Sequence, residues 1–279
     1  MAGAGKLWVV ATPIGNMGDL APRAVEVLRD AALILAEDTR HSRTLLAAHG
    51  LVTPLSALHE HNERGRLAEL VMRLQAGDVL ALISDAGTPL VSDPGFPLVR
   101  AAREAGIVVS PVPGPCAAIA ALSVAGLPTD RFCFEGFLPA RSGARRARLR
   151  SLAGESRTLV FYESAQRIED TLGDLCEAFG GERPAVLARE LTKAFETVLG
   201  DDLEAIRTRV QSDPDQRRGE IVLVVGGVAD DEAARLAEGR RLYQVLRQEL
   251  SPSRAARLAA ELSGAPRAAL YGGEQETSP

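Results

Sequence analysis

Short apolar runs alternate with stretches of helical periodicity along most of this chain. The apolar runs fall at 7–11, 33–36, 79–84 and 107–112, and again at 132–137, 158–163, 185–189 and 220–225. Stretches of helical period follow several of them, at 20–31, 64–75, 97–105 and 116–125. Such alternation is typical of parallel strands joined by crossover helices that cover both faces of a sheet. The pattern therefore predicts an α/β fold.

The strand pattern falls into two sets, which are separated by a break at Gly126-Leu127-Pro128. The composition changes again after Gly227, where Ala, Arg, Leu and Glu dominate and helical patterns cover 231–250 and 253–262. Ser251-Pro252-Ser253 supplies a break and a helix cap between these two patterns. We expect two α/β halves with a ligand cleft between them, residues 1–118 and 119–229, followed by a helical tail over 230–279.

Composition narrows the class of protein. With 279 residues, of which 46% are hydrophobic, the chain is long enough to bury a sizeable core. No apolar run approaches the roughly 20 residues that cross a bilayer, so we expect a cytoplasmic protein without a membrane partner. The three cysteines are far apart in sequence, which fits neither a disulfide framework nor a structural zinc site. We expect reduced, mostly buried thiols.

The charge balance limits how this chain can contact a nucleic acid. The net charge of −5 means that any contact with RNA or DNA must be local. Residues 141–157 contain one acid, Glu155, and six arginines. The arginines are Arg141, Arg145, Arg146, Arg148, Arg150 and Arg157. This stretch is either a solvated helix face or a surface that binds phosphate groups.

Ligands of open α/β sheets bind beyond the carboxyl ends of the strands, so the turns after the strands are the candidate binding loops. Four turns stand out, at 12–19, 84–95, 112–118 and 161–164. The first of them keeps only Gly15 and Gly18 of the dinucleotide fingerprint, which argues against a nicotinamide cofactor. In the second turn, Asp85 and Asp93 have two possible roles, as turn caps or as metal ligands.

Seven motifs resemble those of the small-subunit ribosomal RNA methyltransferase I family, within the wider tetrapyrrole methylase class. They lie at 12–16 (TPIGN), 36–40 (AEDTR), 59–63 (HEHNE), 84–95 (SDAGTPLVSDPG), 161–164 (FYES), 189–193 (RELTK) and 218–220 (RGE). The motifs run in order over nearly the whole chain. The resemblance implies a homodimeric 2'-O-ribose methyltransferase that uses S-adenosylmethionine, without a metal. Its implied substrate is a cytidine near the decoding centre of 16S ribosomal RNA, either within the small ribosomal subunit or in free RNA.

The resemblance also implies a set of donor-binding residues, one group from each of the four turns. They are Pro13, Asp85, Ala86, Thr88, Pro89, Cys116, Ala117 and Tyr162. One departure concerns the fourth motif, which in the family typically continues Pro-His-Arg and here continues Ala165-Gln166-Arg167. A titratable histidine is therefore not available at position 166.

Methyl transfer gains most of its rate from holding the acceptor oxygen opposite the sulfur, and a base that removes the hydroxyl proton adds about 10²–10⁴-fold. The candidate bases are Glu37, Asp38, Glu190 and Lys193, and His59, His61, Glu63 and Glu196 are weighed beside them. The sequence does not choose among these groups. His59 and His61 are expected on one face of a strand, and RNA contact is preferred there to a metal pair.

RNA contacts are expected from basic side chains in the polar motifs and in the arginine stretch. The residues are Arg40, Arg43, His59, His61, Arg145, Arg146, Arg148 and Arg189. Ordinary salt bridges are the alternative for Arg40, Arg43 and Arg189, and also for Lys193.

Two other functions compete with RNA methylation. An enzyme of the same class that acts on a porphyrin-like ring needs an aromatic-lined pocket, whereas aromatic residues make up only 4% of this chain. A non-catalytic RNA-binding or assembly module would have lost the donor site, yet the Asp85–Pro89 segment is intact. Both remain alternatives to the methyltransferase.

Overall fold

Ten strands form two five-stranded sheets in the computed structural model, which describes residues 5–228 and 232–270. The first sheet contains β1 (Lys6–Val10), β2 (Leu33–Ala36), β3 (Leu55–Ala57), β4 (Val79–Ile83) and β5 (Val108–Val112). The second contains β6 (Phe132–Phe137), β7 (Thr158–Ser164), β8 (Pro184–Arg189), β9 (Thr197–Asp202) and β10 (Glu220–Val225). Both sheets belong to one compact unit that ends at Gly227.

The first sheet is parallel throughout and has the order β3-β2-β4-β1-β5. Its central strands are buried on both faces, which explains their continuous apolar sequence. Val10 at the end of β1 pairs with Ile83 of β4 and with Val112 of β5. The carboxyl ends of three neighbouring strands are therefore level, and the turns that follow them meet at one edge of the sheet.

The second sheet is mixed, with the order β6-β7-β10-β8-β9. Strands β6 and β7 are parallel, whereas β10 runs antiparallel to β7 and β8, and β9 runs antiparallel to β8. The prediction of parallel strands was therefore right for the first half and wrong for most of the second. The apolar pattern also missed β9, whose residues are half-buried or exposed, and β3, which has three residues.

Eight α-helices connect these strands within the described part of the larger unit. They are α1 (Pro22–Asp30), α2 (Thr39–Ala48), α3 (Glu63–Gln75), α4 (Phe96–Glu104), α5 (Ala117–Val124), α6 (Ser142–Leu152), α7 (Ile168–Phe179) and α8 (Leu203–Ser212). Successive residues of β7 lie on opposite faces of the sheet and join different hydrophobic cores. Phe161 packs with α6, α7 and α8, whereas Val160 packs with α5. Ile14 of the first turn also joins the α5 core, which ties the two halves together.

The second compact unit begins at Val228 and is helical, as expected for the tail. Its elements are α9 (Glu232–Leu246), α10 (Pro252–Ser263) and α11 (Arg267–Leu270). Tyr243 of α9 packs against alanines of α10 and against Leu270. Helix α10 starts with proline and ends at Gly264 in the left-handed conformation, the common stop signal. The predicted boundary at 118/119 stays a prediction.

Two expectations concern the molecule's surface and its thiols. Of the described helices, none combines the length and the apolar character that a bilayer span requires. Cys116, Cys133 and Cys176 are free, and each is partly exposed rather than buried.

Arg145 was predicted to contact RNA, and its position corrects that prediction. Its side chain is 4% exposed, and its Nε donates a hydrogen bond of 2.6 Å to Oδ2 of Asp174 on α7. Arg145, Leu149 and Leu152 follow helical spacing and form the buried face of α6. The guanidinium therefore stabilises the packing of α6 on α7 and is unavailable to a phosphate.

Replacing Arg145 by alanine should lower the free energy of unfolding by about 3–5 kcal/mol, because the Asp174 carboxylate would stay in the core without its partner. Urea unfolding followed by circular dichroism measures this change. Arg146→Ala is the matched control, since Arg146 is exposed and lies 4.0 Å from Glu177. We expect that variant to lose less than about 1 kcal/mol. Equal, small losses in both variants would contradict the assignment.

Candidate active site

Three of the predicted turns meet at the carboxyl edge of the first sheet, whereas the fourth, 161–164, is the end of strand β7 and not a turn. Hydrogen bonds join the four segments in succession. The first and second turns cross at a short antiparallel bridge between Thr12 and Gly87, with N···O distances of 2.8 and 3.1 Å. Thr88 Oγ1 then donates to the carbonyl of Pro115 in the third turn, at 2.9 Å. Tyr162 Oη of β7 accepts from the amide N–H of Ala118, at 3.3 Å.

These segments enclose a cavity of about 370 Å³, within the range of small-molecule sites. Five of the predicted donor-binding residues line it: Asp85, Ala86, Thr88, Ala117 and Tyr162. The other three, Pro13, Pro89 and Cys116, each adjoin a lining residue in the chain. Apolar walls come from both halves, namely from Ile14, Val91, Phe137, Leu191 and Val222. The cavity thus combines apolar walls with a few polar groups, which suits a nucleoside that carries a sulfonium.

A second cavity of about 380 Å³ adjoins the first one, because Ser92 and Asp93 line both. Its other walls include Glu37, Glu60 and Phe96. Burial, and then the negative charges of Glu37 and Asp85, raise the pKa of Asp93 to about 7. Burial, and then the charge of Asp85, also raise the pKa of Glu37. The boundary between the two cavities is therefore a place where a carboxyl group can exchange a proton near neutral pH.

The loop at 84–95, which carries Asp85 and Asp93, has a strained backbone conformation. Leu90 and Ser92 have φ angles of 72° and 68°, in the left-handed region that non-glycine residues rarely adopt. Asp85 Oδ1 fixes the turn after β2 by accepting from the N–H of Asp38, at 2.9 Å. Strain of this kind persists where surrounding contacts impose it, and such sites are often functional.

Comparison with known proteins identifies the family. The family model of the tetrapyrrole (corrin/porphyrin) methylases matches residues 6–207, and that of the RsmI C-terminal HTH domain matches residues 233–272. Ribosomal RNA small subunit methyltransferase I of Xylella fastidiosa is 60% identical over 98% of this chain and 100% of its own. The protein of that name from Pseudomonas aeruginosa is 54% identical over 96% of each chain. The chain belongs to the ribosomal RNA small subunit methyltransferase I family.

A solved structure agrees with this assignment at the level of the fold. Uroporphyrin-III C-methyltransferase from Thermus thermophilus, complexed with S-adenosylhomocysteine, is 20% identical to this chain with a TM-score of 0.54. The match covers 80% of this chain and 97% of the other. The predicted α/β class with two halves is thereby confirmed as the tetrapyrrole methylase fold.

Asp38, one candidate base of this methyltransferase, has a structural role. Its carboxylate caps α2 by accepting from the N–H of Arg40, and it also binds the Arg40 guanidinium, at 2.7 Å. The side-chain hydrogen bonds from Arg40 are the main reason why the pKa of Asp38 lies well below its usual range. Such a weak base accepts a proton poorly, which argues against the prediction for Asp38.

Glu190 and Lys193 also hold each other. Lys193 Nζ lies 2.8 Å from carboxylate oxygens of both Glu190 and Glu220. Burial alone lowers the pKa of Lys193, but these bonds outweigh it and raise the pKa, so the amine stays protonated. Burial alone raises the pKa of Glu190, but the hydrogen bonds from Lys193 and from the Glu220 N–H outweigh it and lower the pKa. Neither group suits the role of a base, and both join the loop after β8 to β10.

Glu63 and Glu196, weighed as weaker base candidates, bind backbone N–H groups. Glu63 is 3% exposed and accepts from the amides of Gly95 and Leu98, so it holds the start of α4. Glu196 accepts from Thr192 N at 2.6 Å. His59 and His61 lie in the turn before α3 rather than on a strand, with ring centroids 6.0 Å apart. Among the described residues, no group of three His, Cys, Asp or Glu side chains is arranged to hold a metal ion.

The predicted RNA-binding arginines separate into buried and exposed ones. Arg189 is 7% exposed, and its Nη2 donates to Phe195 O and Thr197 Oγ1, both at 2.9 Å, which corrects its prediction as a phosphate ligand. Exposed positions belong to Arg40, Arg43, Arg146 and Arg148. Of these, Arg40 pairs with Asp38, and Arg148 pairs with Glu135 at 2.6 Å.

Asp93 and Glu37 emerge as the acids beside the cavity, and of these the sequence analysis placed only Glu37 among the candidate bases. The signal for Asp93 was present in the dense Asp, Gly, Pro and Ser loop after β4. Its significance depends on which strands are neighbours, because Glu37 follows β2 and Asp93 follows β4. Gln166 lines the donor cavity too, so the departure from the family's usual histidine lies at the site itself.

Gly15→Ala should lower the free energy of unfolding by about 1–3 kcal/mol, because a Cβ at Gly15 would overlap the Lys193 side chain and press on Leu191 O. Thermal unfolding measures the change. Gly143→Ala on α6 is the matched control, since a Cβ there meets no atom within 4 Å. We expect the control to be neutral or slightly stabilising. If both variants unfold alike, the two halves are not in close contact at Gly15.

Proposed function

We propose that this protein transfers a methyl group from S-adenosylmethionine to the 2'-oxygen of a cytidine in the decoding region of 16S ribosomal RNA. The observation that carries the proposal is the donor-sized cavity enclosed by three turns and the end of β7, which hydrogen bonds join, in a member of the ribosomal RNA small subunit methyltransferase I family. The donor supplies a methyl group on a positively charged sulfur, which leaves as a neutral thioether when an oxygen attacks.

Residues of the turns and of β7 would hold the donor. Asp85, Ala86 and Thr88 approach it from the second turn, Ala117 from the third and Tyr162 from β7. Burial raises the pKa of Tyr162 above its ordinary value, so its hydroxyl stays neutral and keeps its hydrogen bond with Ala118. The small side chains of Ala86 and Ala117 leave room for a flat group against the backbone.

Catalysis in this site would rest mainly on position. The hydrogen bonds between the turns fix the walls before a substrate arrives, so little reorganisation accompanies binding. The apolar walls exclude water from the donor cavity, which limits loss of the methyl group to solvent. The remaining requirement is that the acceptor hydroxyl of the RNA be held in line with the sulfur.

We further propose that the substrate is ribosomal RNA within the small ribosomal subunit, bound by a cytoplasmic homodimer. Arg43, Arg146 and Arg148 are exposed and offer guanidinium groups to phosphates. The helical unit after Val228 matches a helix-turn-helix model, a type of unit that commonly contacts nucleic acid. The homodimer is what the resemblance to this family implies.

The decisive experiment is methyl transfer from labelled S-adenosylmethionine to 30S subunits and to naked 16S RNA, with nuclease mapping of the labelled ribose. We expect label at one cytidine, and more of it on the preferred form of the substrate. Ala117→Leu should abolish both donor binding and transfer, because the larger side chain fills the cavity. Ala147→Leu, at an exposed position of α6, is the matched control. Donor binding without transfer to RNA would refute the proposal, and absence of donor binding by the native protein would favour a non-catalytic module.

Charge reversal of Arg146 and Arg148 together should weaken RNA binding and lower the slope of log K against log salt by about 2, since each contact releases about one counterion. Binding titrations over a range of salt concentrations measure the slope. A matched double reversal at Arg207 and Arg209 on α8 changes the net charge equally and should leave the slope unchanged. An equal loss in both variants would make the arginine stretch an ordinary solvated face.

A further inference from the structure

The two cavities share a wall, and a carboxylate lies in that wall. Asp93 is, among the described residues, the one acid that lines both cavities. The donor cavity lies on one side of Asp93, and a space of about 380 Å³ lies on the other. A group held in the second cavity would therefore lie beside Asp93 and next to the donor cavity.

The walls of the second cavity define what it can accept. Phe96, at the start of α4, is 63% exposed and offers an aromatic surface on which a base can stack. Glu37 and Glu60 offer carboxylate oxygens, which accept hydrogen bonds from exocyclic amino groups such as N4 of cytosine. Its lining carries four acids and one base, Arg64, so the field inside opposes phosphate overall. The cavity thus favours a nucleoside with an amino group over a phosphate group.

We propose that the second cavity takes the acceptor nucleoside and that Asp93 accepts the proton of its 2'-hydroxyl, an inference that rests on the proposed function. As the oxygen–methyl bond forms, the sulfur–methyl bond breaks and its electron pair stays on sulfur. The hydroxyl proton passes to a carboxylate oxygen of Asp93. The products are the 2'-O-methyl nucleoside, the neutral thioether and a protonated Asp93, which later releases its proton to water.

Three other acids near the site are engaged elsewhere, whereas Glu37 and Glu60 face the space assigned to the base; Asp93 itself is contacted by the Ser84 hydroxyl. Asp38 is held by Arg40, and Glu63 by the backbone amides at the start of α4. Asp85 accepts from the N–H of Asp38. Asp93 follows directly after Ser92, whose left-handed conformation turns the chain between the two cavities. The strained loop therefore places this carboxylate at the boundary, where the reacting hydroxyl would lie.

The electrostatic surroundings suit a base that works near neutral pH. Glu37, Asp85 and Tyr162 interact with Asp93, and burial followed by the charges of Glu37 and Asp85 raises its pKa to about 7. Further charged groups around the second cavity are Glu60, Glu63 and Arg64. The carboxylate form, present above this pKa, accepts the proton, so the rate should rise with pH through about 7 and then level off.

Asp93→Asn tests the proposal, with kcat measured at saturating donor on the RNA substrate. We expect kcat to fall about 10²–10⁴-fold and its rise with pH to disappear, because an amide cannot accept the proton. Asp93→Glu should restore part of the rate. Asp30→Asn, an exposed acid at the end of α1, is the matched control and should keep the native rate and pH profile.

Two readouts do not depend on turnover. S-adenosylhomocysteine, whose sulfur is uncharged, should bind Asp93→Asn within about threefold of the native affinity, which establishes an intact fold. Carbon-13 NMR of the ligand-free native protein should show the Asp93 carboxyl titrating near 7, and Glu37→Gln should lower that pKa by removing a neighbouring negative charge.

The outcomes separate this inference from the proposed function. A native protein that fails to methylate ribosomal RNA refutes the function. An active native protein whose Asp93→Asn variant keeps its kcat and its pH profile refutes the role of Asp93 alone. An unshifted Asp93 carboxyl in the NMR titration would also contradict it.

Discussion

The short bridge between Thr12 and Gly87 is the contact on which the site depends. Its two backbone hydrogen bonds join the turn after β1 to the turn after β4, at a point where Thr12 is fully buried. The Thr12 hydroxyl adds a bond to Ser84 O, and Gly87 adopts a left-handed conformation that residues with a side chain rarely adopt. Once these turns are fixed, the bonds to the third turn and to β7 follow from the neighbouring residues. A cavity wall built from backbone in this way resists side-chain motion, which suits a reaction governed by position.

Glycines also allow close approach, both between the two halves and within the second half. Gly15 leaves space for Lys193, and Gly219 leaves space for the Glu190 carboxylate, which lies where a Cβ would otherwise be. Lys193 in turn bridges Glu190 and Glu220, so the loop after β8 is held against β10. The polar motifs of the second half therefore position the loop that faces the first turn. Their charged side chains stabilise one another, which is why they suit neither proton transfer nor phosphate binding.

The sequence predicted the elements that have an apolar pattern of their own. Strands such as β2 and β10 were found almost to the residue because all of β2, and all of β10 except Glu220, are buried. The pattern failed for β9, where half-buried and exposed residues take the place of a buried run, and it gave no information on strand direction in the second sheet. Individual charges were the harder case: Arg145 is neutralised by Asp174, 29 residues away on another helix. A basic stretch cannot show such a partner, whereas helical spacing with Leu149 and Leu152 would have indicated a buried position.

The acids at the centre of the site constrain the substrate of an enzyme that acts on RNA. The negative charge of Asp85 helps to raise the pKa of both Glu37 and Asp93, so these acids lie close together and their field opposes the entry of phosphate groups. Exposed arginines such as Arg43 lie on helices outside the cavities and can hold the backbone there. A single nucleotide turned away from its strand satisfies both demands, because its base and ribose enter while its phosphates stay outside. Paired RNA does not present such a nucleotide without unstacking, which favours an irregular, unpaired region as the target.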